Sequence, residues 1–333
     1  MISPIASYVA VNKDNHIRHA SSSGGVFTAL AEYVFSNNGV VCGAAFDENH
    51  MVHHIICTSE TELEKLRGSK YVHSELGHIF ANIKSILDSG QLVLFTGVGC
   101  QTAGLKKYLR QDYPNLIIAD VLCHGGADPK AWEAFIKKRK EGLTGINFRD
   151  KSLGWEQYNL SLQYGNKERM ISLDENTYIK GYFSGLFYRK ACLTCPFRNF
   201  NSQSDITLAD AWGAKTILED EFCKDDKGTN LVFVNTQVGA EILKAIEACL
   251  YITPVEWQKL IKFNPAIYNC PQSSKSSNEF WRRLNNGEDF DSIVTSLTRP
   301  GITKRLEIFL TPLFKKLGIK GFTNRFKKGK ATL

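Results

Sequence analysis

Residues 92–123 restrict the fold more than any other stretch of this chain. An apolar run at 92–95 is followed by the loop Thr96-Gly97-Val98-Gly99, a helix-length segment at 100–109 and a second apolar run at 116–123. Strand, helix and strand in that order form a βαβ unit, which requires the two strands to be parallel neighbours joined by a crossover. Cys100 then opens the helix and Cys123 closes the second strand. Both cysteines fall on the carboxyl edge of one sheet, where open α/β sheets bind their ligands.

The flanking sequence extends this α/β body. Residues 7–12 read as a strand; Ser21-Ser22-Ser23-Gly24-Gly25 then precedes a helix at 26–35 that stops near Asn38-Gly39. Residues 40–46 and 52–58 read as paired strands. Ser59 and Glu62 have the spacing of a capping box for a short helix ending at Gly68. A loop over 67–74, Arg-Gly-Ser-Lys-Tyr-Val-His-Ser, leads to a helix at 79–87. Asp128-Pro129 begins another helix, predicted to reach about Lys140. Residues 158–173 alternate apolar and polar around Gly165-Asn166, as a hairpin does. Two more strands, at 205–210 and 230–235, precede a helix at 238–249. Beyond Pro254 the pattern becomes mainly helical.

Composition excludes more than it selects. A hydrophobic fraction of 43% with 23% charged residues describes an ordinary globular protein. No stretch approaches the roughly 20 apolar residues of a membrane span, and the first residues lack a signal-peptide pattern, so the expected location is the cytoplasm. Nine cysteines in a reducing compartment are not a disulfide framework. The net charge of +7 is uneven. From Gly301 onward nine basic residues face Glu307 alone, a tail of +8 against a remainder of −1. The near-neutral body offers no footprint for nucleic acid. The tail mixes large apolar residues with one sign of charge. That suits a membrane surface or an acidic partner, or a segment whose apolar side covers the body.

Cys192 and Cys195 form a Cys-Leu-Thr-Cys-Pro knuckle able to clasp one metal centre. With Cys100 and Cys123 they make a four-thiolate set, suited to an iron–sulfur cluster or a structural zinc, provided the middle segment folds back over the sheet edge. The loop at 96–104 approaches a dinucleotide fingerprint but has Thr102 where the third glycine belongs, with Asp120 as the would-be ribose acid. Ser22, Ser23, Gly24 and Gly25, ahead of a helix, offer hydroxyls and backbone N–H groups to a phosphate, or simply cap the helix. Lys70 is a phosphate-binding or charge-stabilising candidate, or else a solvated lysine. His124, beside Cys123, is a proton donor or a structural histidine.

Six ordered blocks resemble one family. They are Ser-Ser-Ser-Gly-Gly-Val-Phe at 21–27, Leu-Arg-Gly-Ser-Lys-Tyr at 66–71, Phe-Thr-Gly-Val-Gly-Cys-Gln at 95–101, Cys-His-Gly-Gly-Ala-Asp-Pro at 123–129, the knuckle at 192–196, and Ser-Asp-Ile-Thr-Leu-Ala-Asp at 204–210. Their order is similar to that of the beta subunits of coenzyme F420 hydrogenases and dehydrogenases. The resemblance implies a flavoprotein with FAD and a 4Fe-4S cluster, exchanging electrons with a ferredoxin-type partner and hydride with a small organic substrate. By position it implies Cys100, Cys123, Cys192 and Cys195 as cluster ligands. It also implies Ser22, Ser23, Gly24, Gly25, Gly68, Ser69, Lys70, Tyr71, Thr96 and Gly97 as the flavin cradle, with Lys70 and His124 as catalytic candidates. The sequence starts at the body without the ferredoxin-like domain of many bacterial relatives, so its electrons are expected from a separate protein. It also departs from the family by Gly-Val-Gly-Cys-Gln in place of Thr-Pro-Cys-Gln, and by Ala209-Asp210 in place of Gly-Asp.

The expected architecture is α/β, a mixed sheet with a parallel βαβ core, a β-rich cluster-bearing insertion and a mainly helical extension. Its parts are 1–90 and 91–254, which share the flavin-binding body, and 255–333.

Overall fold

The computed structural model describes residues 3–299, so the basic tail lies outside the described residues. Eleven strands are present there, β1 (Ala6–Asn12), β2 (Val40–Phe46), β3 (Val52–Cys57), β4 (Val93–Val98), β5 (Leu116–Val121), β6 (Gly145–Asp150), β7 (Asn159–Tyr164), β8 (Lys167–Ile171), β9 (Ile206–Asp210), β10 (Asn230–Val234) and β11 (Leu250–Pro254). Eight of them form one mixed sheet in the order β11-β1-β10-β9-β5-β4-β2-β3, and β6-β7-β8 make a second, antiparallel sheet. The predicted parallel pair holds: Val93 to Val98 of β4 lie opposite Leu116 to Val121 of β5. Parallel pairing continues from β4 to β2 and from β5 to β9. Four strand ends therefore point to one edge.

Period-two alternation explains how the sheet is covered on both faces. Leu94, Ile117 and Val41 pack with Val26, Leu30 and Val34 of the helix Val26–Ser36. The intervening residues Val93, Phe95, Leu116 and Ile118 pack with Ile83 and Leu105 of the helices Ile79–Asp88 and Gly99–Leu109. Both strands are buried on two sides, which is why they read as continuous apolar runs.

Local expectations differ from the structure in a few places. The short helix after Ser59 is a 3-10 helix, Glu60–Lys65, and Ser59 makes no side-chain cap. Glu62 instead accepts from the Thr58 N–H at 3.1 Å, one residue earlier than a capping box requires. The helix that starts at Pro129 stops at Ile136, although Asp128 caps it as predicted. The hairpin at 158–173 gains a third strand, β6, and residues 250–254 form the edge strand β11.

The described chain forms two compact units. Among the described residues, one comprises 3–176 and 188–272 and contains both sheets; the other comprises 177–187 and 273–299. The second is helical, with Tyr178 and Phe280 each in ring contact with both Phe187 and Phe290, which also touch each other. No described helix is long and apolar enough to cross a membrane.

Candidate functional site

Three chain segments meet at the carboxyl edge of the parallel strands. Cys100 is the second residue of Gly99–Leu109, immediately after β4, and Cys123 lies just past the end of β5. Cys192 sits in the 3-10 helix Lys190–Thr194, with Cys195 at its end. The knuckle reaches the sheet edge because residues 123–127 and 188–192 run side by side. Ala127 bridges Tyr188 in an antiparallel pair, and the Arg189 N–H donates to Gly126 O at 2.9 Å. Gly99 serves the same end. A Cβ there would stand 3.1 Å from Ser202 Cβ and 3.3 Å from Phe197 Cβ, so glycine lets the segment after Cys195 lie against the start of the Cys100 helix. Thr102 Oγ1 donates across this contact to Ser202 O at 2.9 Å.

The sulfurs meet backbone donors. The Gly125 N–H donates to Cys123 Sγ at 3.3 Å and the Gly126 N–H to Cys192 Sγ at 3.2 Å. Gly125 has φ +135°, and a Cβ there would come within 2.8 Å of Pro271 and 3.0 Å of the Tyr188 ring. This turn needs glycine. Desolvation, followed by the neighbouring Cys195 and Cys192, holds the Cys100 thiol above its ordinary pKa. Desolvation pushes the Cys123 thiol up to about 12, against the N–H of Gly125 and the charge of Arg198. Cys100 thus lies within electrostatic range of Cys123, Cys192 and Cys195, and Cys123 within range of Cys192; Cys100 is exposed and the other three are half-buried. Cys270 is a fifth thiol at this edge, 3.7 Å from Cys195 O. Among the described residues, no three His, Cys, Asp or Glu side chains are grouped to hold a single metal ion.

The residues of the expected flavin cradle divide into two sets. Ser22 Oγ accepts from the Ser69 N–H at 2.7 Å, so the first and second loops are joined directly. Gly68 has φ +83° with open space where a Cβ would point, and Tyr71 accepts from Arg149 Nη1 at 3.2 Å. Thr96 Oγ1 donates to Cys42 O at 2.9 Å, while Thr96 O contacts His54 Nε2 at 3.0 Å. A Cβ at Gly97 would lie 3.0 Å from Gln101 Oε1. The other set serves the loop's own fold. Ser23 Oγ donates to Thr229 O at 2.8 Å; Gly24 lies where a Cβ would be 2.5 Å from Ala10 O; Gly25 caps the helix at φ +87°.

Lys70 is not a solvated lysine. Its ammonium donates to Leu66 O, Arg67 O and Gly68 O at 3.1–3.3 Å, and burial lowers its pKa to about 7. His124 stands at the strand end within electrostatic range of Asp210, Arg198 and Arg149. Asp120 is 4% exposed and accepts from Ser204 Oγ and Thr207 Oγ1 at 2.7 and 2.5 Å, which assigns it to the core rather than to a ribose.

Several polar residues that sequence reasoning passed over gather here. Arg149 of β6 pairs with Asp210 at the end of β9 at 3.0 Å, over the Tyr158 ring at 4.1 Å. Lys151 donates to Arg18 O, Ser23 O and Lys227 O at 2.5–3.1 Å, clamping the serine-glycine loop from behind. Arg198, three residues past Cys195, contacts Cys123 O and Ala266 O. Only Arg198 carried a sequence signal, its closeness to the knuckle.

Comparison with known proteins agrees with this geometry. The family described as the C terminus of the coenzyme F420 hydrogenase/dehydrogenase beta subunit matches residues 90–258, and the family described as its N terminus matches residues 7–80. The chain belongs to this beta subunit family. Members of the family are subunits of oxidoreductases, and the two matches span the whole edge at which the cysteines meet. A solved structure described as a xenon derivative of the F420-reducing NiFe hydrogenase complex from Methanosarcina barkeri contains a similar chain. The TM-score is 0.54 at 18% identity, over 86% of this chain and 94% of that one. That likeness supports the fold of the family. No curated protein matches.

Proposed function

We propose that this beta subunit homologue is a flavin- and iron–sulfur-dependent oxidoreductase, passing electrons between a ferredoxin-type partner and an organic hydride acceptor. The observation that carries the reading is the meeting of the Cys100, Cys123 and Cys192–Cys195 segments at the carboxyl edge of the parallel strands. The donor set fits a 4Fe-4S cluster. Four thiols and two N–H groups aimed at sulfur are what such a centre uses, and a cubane spreads its ligand sulfurs more widely than one ion does. Exposure of Cys100 supports contact with a protein partner at this end of the site. Bound FAD supplies the exchange between single electrons and hydride. The chain's own part is to hold that group with Ser22, the backbone of 68–71, Thr96 and Gly97, and to keep Tyr71 in place through Arg149. Lys70 fixes its own loop by three carbonyl contacts. His124, beside Cys123 at the strand end, is the proton-transfer candidate of this reading, burial favouring its neutral ring.

The M. barkeri neighbour is part of a multi-protein complex. Association with an electron-transfer protein, aided by the basic tail outside the described residues, is the matching proposal here. Anaerobic purification with metal analysis and an absorption spectrum tests the central reading. The expected protein is yellow-brown, with stoichiometric iron and flavin bands. Ala at any of the four cysteines should remove most of the iron, whereas Cys249→Ala should not. A colourless protein with one zinc, or full iron in Cys192→Ala, would overturn the assignment.

A further inference from the structure

Arg18, Arg149 and Arg198 are the buried arginines of the described residues, at 4%, 4% and 7% exposure. Arg18 is bonded through two nitrogens to Asp225, at 2.7 and 2.8 Å, and Arg149 pairs with Asp210 at 3.0 Å. Arg198 is different. Its Nη1 meets the carbonyls of Cys123 and Ala266, its Nε is buried without a hydrogen-bond partner, and no carboxylate pairs with it among the described residues. A buried cation without a counter-charge is strongly unfavourable, and proteins retain one where an anion neutralises it. Through the Cys123 carbonyl its guanidinium stands at the cysteine centre itself, where the Gly125 and Gly126 N–H groups also meet the sulfurs of Cys123 and Cys192.

We infer that Arg198 is the counter-charge of the four-thiolate centre, a positioning residue that raises the reduction potential of the cluster bound there. The inference rests on the reading of these cysteines as cluster ligands and adds to it the residue that sets the potential. A thiolate-ligated cluster is anionic in both oxidation states and gains a further negative charge when it takes up one electron. A fixed cation in a poorly solvated site therefore favours the reduced form. The Gly125 and Gly126 N–H groups act in the same direction on Cys123 and Cys192. Arg198 also ties the strand end at Cys123 to the segment following Cys195, so the charge is held where the ligands meet.

The test is an anaerobic, EPR-monitored redox titration of the full chain, poised with dithionite as electron source, for the parent, Arg198→Met and Arg198→Lys. Arg198→Met, with iron retained, should show about a tenfold lower ratio of reduced to oxidised cluster at a given poise, a 59 mV fall for one electron. Arg198→Lys should recover most of the difference. Loss of iron in Arg198→Met but not in Arg198→Lys, both folded by circular dichroism, would equally support a requirement for charge. An unchanged potential in iron-replete Arg198→Met would overturn the inference, as would equal shifts, equal iron loss or unfolding in both variants. A parent chain without iron would instead remove the cluster reading itself.

Discussion

The Ser69 N–H donates to Ser22 Oγ at 2.7 Å across 47 residues of sequence, making one surface of two loops that the sequence presents separately. Ser22→Ala leaves that donor without its partner. The loss should be about 1 kcal/mol of stability, the usual worth of one such bond. If these loops hold the flavin as proposed, flavin retention should fall further than the melting temperature, because they would part. Equilibrium dialysis of FAD, run beside thermal unfolding, checks this; equal FAD affinity in Ser22→Ala and the parent would return the contact to a purely structural role.

Gly24 and Gly68 both occupy loops of the proposed cradle, yet they should respond differently to Ala. At Gly24 a Cβ meets backbone atoms, Ala10 O at 2.5 Å and Asn230 N at 2.8 Å, and the backbone has no rotamer with which to yield. Overpacking of that kind costs about 1–3 kcal/mol. At Gly68 nothing lies within 4 Å, and the cost is only the left-handed φ of +83°, about 1–2 kcal/mol. Urea unfolding should rank Gly24→Ala as the less stable of the two. The reverse order would contradict the close approach of β1 and β10 to the loop.

The contrast between these glycines shows what was legible beforehand. The β4–helix–β5 unit and the placement of Cys100 and Cys123 at its edge follow from local patterns: continuous apolar runs, a helix between them, residues at their ends. Convergence of Cys192 and Cys195 depends on Ala127 meeting Tyr188 and on Gly99 admitting the segment after the knuckle, pairings that no periodicity encodes. Burial of polar groups was hidden for the same reason. Lys70 and Asp120 look alike as candidates in sequence. Lys70 turns back on carbonyls of its own loop, and Asp120 meets hydroxyls 84 and 87 residues away; periodicity encodes neither, nor the Arg149–Asp210 pair and the edge strand β11.

Lys70 should make stability depend on pH. Burial holds its folded pKa at about 7, against the ordinary 10.5 of the unfolded chain. Between those values the unfolded chain binds a proton that the folded one lacks, so stability rises with pH across the window. Below pH 7 both states are protonated and the contribution is flat. Lys151, also lowered to about 7 by burial and then by Arg18, adds the same sign. Urea unfolding at pH 7 and pH 9 should show the parent gaining stability and Lys70→Met gaining less. Identical pH slopes in the two would mean that the three carbonyls keep Lys70 charged throughout.

Asp210 and Arg149 should behave as a coupled pair. The side chain of Arg149 is 3% exposed and that of Asp210 is 20% exposed, so Asp210→Asn strands a guanidinium with little water to replace the carboxylate. Breaking one partner of a buried pair costs about 3–5 kcal/mol. The partial exposure of Asp210 places this case at the lower end. Arg149→Met should cost a similar amount, since Asp210 loses its counter-charge and Tyr71 one of its hydrogen bonds. The double variant removes both charges together and should be more stable than the two single effects predict. A coupling free energy near zero in that cycle would show that the ion pair does not fasten the Tyr71 loop to the end of β9. A large coupling with unchanged FAD affinity would confine its role to the fold.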